Sequence, residues 1–202
     1  MSIRKVLSSA FALISLLYVS VADASDFDIG YQRMAFDAAG SSIGPGYPGN
    51  SIRFYDPNTL GKTSGNMNTF FVQWNFSKWF GVLYAQSRAS GLALVIEPGS
   101  SLLPANGTIS GETYSFEGRY EAAGYLDWFA RVNFSDFEVS GDYSGTSAFT
   151  PPVHHVSISD SQTYLSGGLR LKFTQHMGAE VIYHNFSSLM DPAFSVGLYA
   201  RF

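Results

Sequence analysis

The chain of 202 residues carries 12 Lys+Arg against 16 Asp+Glu, a formal charge of −4, and no cysteine. No basic stretch is concentrated enough for nucleic-acid binding, and no disulfide can form. Aromatic residues make up 16% of the chain and charged residues only 14%, against roughly 25% charged in an average soluble domain.

In chain order, Arg4 and Lys5 precede the apolar "VLSSAFALISLLYVSV", which closes on Ala22-Asp23-Ala24. A charged start, an apolar run and an A-x-A site predict a secretory signal peptide over 1–24, cleaved after Ala24. The alternative is an N-terminal membrane anchor, which the short apolar run argues against. The predicted mature domain, 25–202, would keep 202 − 24 = 178 residues, with 10 Lys+Arg, 15 Asp+Glu and a formal charge of −5. It contains no apolar run of about 18 residues, so no membrane helix is predicted. Export, many aromatics, few charges and no apolar helix together predict an all-β fold, an eight-stranded antiparallel transmembrane β-barrel.

Eight strands are predicted, at 26–36, 67–76, 80–91, 112–122, 129–141, 162–173, 177–187 and 193–202. In the second, Phe70, Val72, Trp74 and Phe76 oppose Thr69, Phe71, Gln73 and Asn75. The third is ambiguous: Gln86 and Arg88 suggest one register, Phe80, Val82 and Tyr84 the other. In the fourth, Tyr114, Phe116, Gly118, Tyr120 and Ala122 alternate with Thr113, Ser115, Glu117, Arg119 and Glu121. The sixth alternates Leu165, Gly167, Leu169, Leu171 and Phe173 with Ser166, Gly168, Arg170 and Lys172. The eighth places Phe194, Val196, Leu198, Ala200 and Phe202 on one face. Period-two alternation over about nine or more residues suits a tilted bilayer crossing.

Connections alternate in length. Segments 77–79, 123–127 and 174–176 are short, whereas 37–66, 92–111 and 142–161 are long and 188–192 is modest. Short turns on one side and long loops on the other are how outer-membrane barrels are built. Phe76, Trp79, Tyr125, Trp128, Phe173 and Phe202 fall at the short-turn ends, where an interfacial aromatic girdle belongs. A soluble β-sandwich would have little reason for that placement.

A barrel of eight strands has a bore that side chains can fill. The predicted lumen charges are Asp28, Arg88, Glu117, Arg119, Glu121, Arg131, Arg170, Lys172, Glu180 and Arg201, with Gln32 and Gln73 beside them. Charges of both signs in a narrow bore should pair, because unpaired buried charges are costly. A plugged lumen is expected, not a wide pore.

The other candidate chemistry is thin. His184 and Ser187 sit near the outer end of a strand, as the His and Ser of outer-membrane lipid deacylases do, but residues three apart face opposite sides of a strand. His154-His155 supply too few ligands for a metal. The triplet Asn-Phe-Ser recurs at 75–77, 133–135 and 185–187 at different depths and makes no structural repeat. No catalytic residue, cofactor or metal is expected. The first long loop is rich in Gly, Pro, Ser and Asn and reads as a mobile surface segment. The apolar "LALVI" at 92–96 either continues the third strand above the membrane or offers a surface to a ligand.

The ending "SVGLYARF", with Gly197, Ala200 and terminal Phe202, resembles the C-terminal β-signal that bacterial outer-membrane proteins present to the barrel assembly machinery. More broadly, "GAEVIYHNFSS…FSVGLYARF" (178–202) resembles the last hairpin of OmpA-like transmembrane barrels. The resemblance implies a monomeric porin-family barrel in the bacterial outer membrane, contacting lipids and the assembly machinery. The chain stops at the eighth predicted strand, so the peptidoglycan-binding role of full-length relatives is not carried over. The expected function is structural and surface-displaying, with loops open to a surface ligand. The alternatives are a narrow porin-like channel or transporter of small solutes, and, less favoured, a lipid-modifying enzyme.

Overall fold

Strands of period two must bury one face, and here the sheet does so by curling onto itself. A computed structural model describes residues 26–38, 42–43, 51–53, 63–97, 103–144, 153–186 and 190–202. Its strands are β1 (Asp26–Ala38), β2 (Ser42–Ile43), β3 (Ser51–Arg53), β4 (Thr63–Asn75), β5 (Phe80–Glu97), β6 (Leu103–Ala123), β7 (Leu126–Ser144), β8 (Val153–Lys172), β9 (Met177–Asn185) and β10 (Ala193–Arg201). Eight of them close a ring of antiparallel pairs in the order β1-β4-β5-β6-β7-β8-β9-β10, with β10 returning to β1. Closure is finished by Phe202 N–H donating to Phe27 O at 2.9 Å and Phe27 N–H to Phe202 O at 3.1 Å. Each of the eight predicted strands overlaps one of these. The predicted signal peptide, with Ala22 and Ala24, lies outside the described residues.

The pairing also fixes how far the strands are staggered. Asp26 pairs with Asn75, Asn75 with Gly81, Gly81 with Glu117, Glu117 with Arg131, Arg131 with Ser166, Ser166 with His184 and His184 with Ala193. Phe194 faces Ala35 on β1, so Ala193 stands level with position 36 and one circuit climbs 36 − 26 = 10 residues. That stagger tilts the strands and sets the bore. It also shows why distant residues meet, since from Asn75 onward this circuit follows residues of the inward face.

The faces carry a second regularity that sequence reading missed. In the half nearer the short turns, outward residues are apolar and inward ones mostly polar. On β7, Trp128, Val132 and Phe134 are exposed while Asp127, Arg131 and Asn133 are buried. Further up the same strand the assignment inverts: Phe137 and Val139 are buried, and Asp136 and Glu138 turn outward. β1 does the same, with Asp28 and Gln32 buried below and Met34 and Phe36 buried above. The strand keeps its register; only the character of its outer face changes, from apolar to polar. Strands β5 to β8 therefore run 18 to 21 residues, well beyond the roughly 9–11 that a crossing needs.

The inversion settles the third predicted strand. Phe80, Val82, Tyr84, Gln86 and Arg88 share one outward face, with Leu83, Ala85 and Ser87 inward. The "LALVI" stretch continues β5 upward, and Leu92 is 1% exposed inside the bore. A bulge at Ser90/Leu92, with Gly91 at φ +73°, re-aims that extension. Within the first long loop, β3 pairs with β5 on the edge that β4 occupies lower down, and β2 pairs with β3, so this ribbon continues the sheet above β4.

Candidate functional site: two buried clusters in one lumen

The lower lumen is filled by charge. Arg170 is 0% exposed. Its Nη2 donates to Glu180 Oε2 and to Gln73 Oε1, both at 3.1 Å, and lies 3.4 Å from Glu117 Oε2. Arg131 bridges the same two acids, at 2.7 Å to Glu117 and 3.1 Å to Glu180. Arg119 adds a third cation to Glu117 at 2.7 Å, and also donates to Asn75. Gln32 donates to Glu180 Oε1 at 2.6 Å. Nearer the short-turn mouth, Arg201 clasps Asp28 through two bonds of 2.7 and 2.9 Å, and Asn75 donates to the same carboxylate. The rings of Phe129 and Tyr199 stand beside the guanidinium groups, with Arg131 4.4 Å from the centroid of Phe129 and Arg170 5.0 Å from that of Tyr199. Three carboxylates and four guanidiniums drawn from six strands thus pair at close range, with Asp26 3.9 Å from Arg201 as a fourth acid at the mouth, and pairing is the condition under which buried charge is tolerated.

Of the ten predicted lumen charges, the structure brings seven into this network: Asp28, Glu117, Arg119, Arg131, Arg170, Glu180 and Arg201. Lys172 stands at the mouth, paired at 2.8 Å with Asp127, which the sequence reading did not select. Two predicted positions need correction. Arg88 points outward, because it lies above the phase inversion, where charge faces water and not the bore. Glu121 keeps the inward parity of β6 but sits past the rim, exposed, directly opposite Asp127. Of the predicted assembly residues, Gly197 is packed inside, where a Cβ would come within 2.7 Å of Gln32 Cγ and 2.9 Å of Tyr31 O. Ala200 is half-buried and Phe202 is exposed.

The upper lumen is filled by hydrocarbon. Phe36, Met67, Leu92, Ile109, Phe137 and Phe186 belong to one buried cluster, each at most 8% exposed. Buried charge gives no hint of this second cluster; its signal is apolar residues on the parity that is polar lower down. Between the two clusters lies a cavity of about 40 Å³, lined by hydroxyls, amides, Arg131 and His184 on one part and by apolar side chains such as Met34, Leu83 and Phe137 on another. His184 Nε2 stands 2.8 Å from Ser195 Oγ, and its ring stacks on Phe186. Ser195 is therefore a hydroxyl neighbour of His184; the predicted partner Ser187 lies outside the described residues. No group orients the other ring nitrogen, which a nucleophile-activating histidine requires. His155 pairs with Asp142 at 2.7 Å on the surface, and no metal-ligand cluster exists among the described residues.

Solved structures share this architecture. OprG, an outer membrane protein of Pseudomonas aeruginosa, matches with a TM-score of 0.57 at 12% identity, over 89% of this chain and 96% of that one. Neisserial surface protein A matches with a TM-score of 0.52 at 9% identity, over 89% and 97%. Ail, the attachment invasion locus protein of Yersinia pestis, matches with 0.50 at 14% identity, over 88% and 97%. The fold is that of the small eight-stranded outer-membrane barrels. No family model matches the chain, and no curated protein sequence does, so the likeness is one of architecture. Within that architecture the lumen is the feature that this chain's own side chains define.

Proposed function

We propose that this is a plugged outer-membrane barrel whose role is structural and surface-displaying. One observation carries the reading: two buried clusters of unlike chemistry lie at two levels of the bore, an Arg170-centred ion network below and an apolar cluster above. A hydrated ion meets salt bridges with little spare hydrogen-bonding capacity and then hydrocarbon, and neither offers it a compensating shell. The aromatic girdle, the apolar outer wall and the resemblance of the ending to a β-signal support insertion into the outer membrane by the assembly machinery after export. The strand extensions and long loops are then what the barrel presents outside. Planar-bilayer recording of the purified protein tests the plug, and the expected result is no steady conductance. A stable, reproducible open state would overturn it in favour of the channel. A lipid product that disappears on His184→Phe would overturn it in favour of the enzyme.

A further inference from the structure

The lipid-facing wall carries a depression that the lumen does not explain. Gly118 on β6 lies directly opposite Phe80 on β5 and Ala130 on β7, and Ala130 lies opposite Gly167 on β8. These positions alternate with the inward Glu117, Arg131 and Ser166, so the small residues form an outward row. Large rings frame it: Trp79 and Tyr120 stack with centroids 6.3 Å apart, and Phe80 and Trp128 stand exposed beside them. The result is a shallow depression of about 520 Å³, wide open to the outside of the barrel. Its floor is unfilled, since a Cβ on Gly118 would meet only the Phe80 ring, at 3.8 Å.

The ends of the depression differ in chemistry. Trp79 belongs to the short turn between β4 and β5, the level at which tryptophan rings mark the membrane–water boundary. Beside it, Lys78 Nζ lies 4.9 Å from the centre of the Trp79 ring. Lys78 is exposed and has no ion-pair partner among the described residues. A largely apolar face, with Arg119 at its edge and Lys78 just outside it over the Trp79 ring, complements an amphiphile with an anionic head.

We propose that this depression binds one phospholipid of the inner leaflet, with an acyl chain over Gly118 and Ala130 and the phosphate against Lys78. The proposal rests on the membrane placement argued above, and its test separates the two. Detergent-solubilised protein is titrated with phosphatidylglycerol brominated in its acyl chains, which quenches tryptophan on contact, and each sample is checked for the folded barrel by its heat-dependent shift in a detergent gel. The folded wild type should show saturable quenching. Lys78→Gln should weaken it about fivefold, the loss of one interfacial cation contact. Gly118→Leu, which fills the floor without a backbone clash, should remove the saturable component. A brominated monoacylglycerol, lacking the phosphate, should bind more weakly and ignore Lys78→Gln. Quenching that climbs without saturating, or that neither substitution alters, overturns the site. A wild-type chain without the folded-barrel shift would instead sink the parent reading.

Discussion

Arg170 on β8 and Glu180 on β9 are direct cross-strand partners, and their side chains meet at 3.1 Å in the centre of the bore, 0% and 1% exposed. A buried pair of this kind is weak evidence of net stabilisation, but breaking it leaves a charge stranded. Arg170→Ala takes a shared cation from Glu117, Glu180 and Asp28 together. It should cost about 3–5 kcal/mol, read as a lower urea midpoint for refolding into lipid vesicles by tryptophan fluorescence. Arg170→Lys should fall between the two, because an ammonium keeps the charge but cannot reproduce the fork of donors. A wild-type midpoint for Arg170→Ala would mean that the network holds nothing in place.

On the proposed reading the ion network and the apolar cluster act as plugs in series, which has a consequence for conduction. Phe137 is 2% exposed and packs so closely on Gly111 that a Cβ there would lie 2.3 Å from its ring. Phe137→Ala should cost about 3–5 kcal/mol as a large-to-small change, whereas Phe194→Ala, at a ring 64% exposed on the outer wall, should cost far less. Neither Phe137→Ala nor Arg170→Ala should give more than brief openings in planar bilayers, since each leaves the other plug closed. The double substitution should give sustained conductance. Sustained current from either single variant would show that one plug alone seals the bore.

How much of this was legible in the sequence follows from what alternation encodes. Strands such as Phe70–Phe76 and Leu165–Lys172 could be read because their outer faces are apolar and their inner faces mostly polar, so polarity and direction coincide. Above the membrane that link breaks. Glu138 and Arg88 are charged and outward, while Val139 and Ile109 are apolar and inward, so a rule that sends charge to the lumen misplaces Arg88 and overlooks the apolar cluster. The lower network was mostly legible for the opposite reason, because a charge on the inward parity within the lipid-facing zone has nowhere else to go. Asp127 escaped because it lies in the stretch assigned to a turn. The His184–Ser195 contact depends on the β9–β10 register, which residue types alone do not determine.

Backbone proximity gives a sharper contrast between two glycines. A Cβ at Gly168 would lie 2.0 Å from the carbonyl oxygen of Val181, in the middle of the β8–β9 pairing, where no side-chain rotation can relieve it. Gly168→Ala should therefore lose most of its folded, heat-shifted band in a detergent gel. Gly118→Ala should keep that band, its nearest neighbour being a mobile ring at 3.8 Å. Equal behaviour of the two would mean that β8 and β9 can part at that point at little cost.

The last residue separates assembly from stability. Phe202 donates its N–H to Phe27 O at 2.9 Å and accepts from Phe27 N–H at 3.1 Å, while its ring is 74% exposed. Phe202→Ala keeps both backbone bonds and loses a ring that touches little of the barrel. If the ring acts as a signal to the assembly machinery, Phe202→Ala should lower the folded yield in urea-washed outer membranes of expressing cells, yet refold from urea into lipid vesicles as the wild type does. Deleting the residue removes the closing rung between β1 and β10 as well, and should impair both. Normal assembly of Phe202→Ala in cells would remove the signal role of the ring. Poor refolding of the same variant without any machinery would place its contribution in the barrel's own closure.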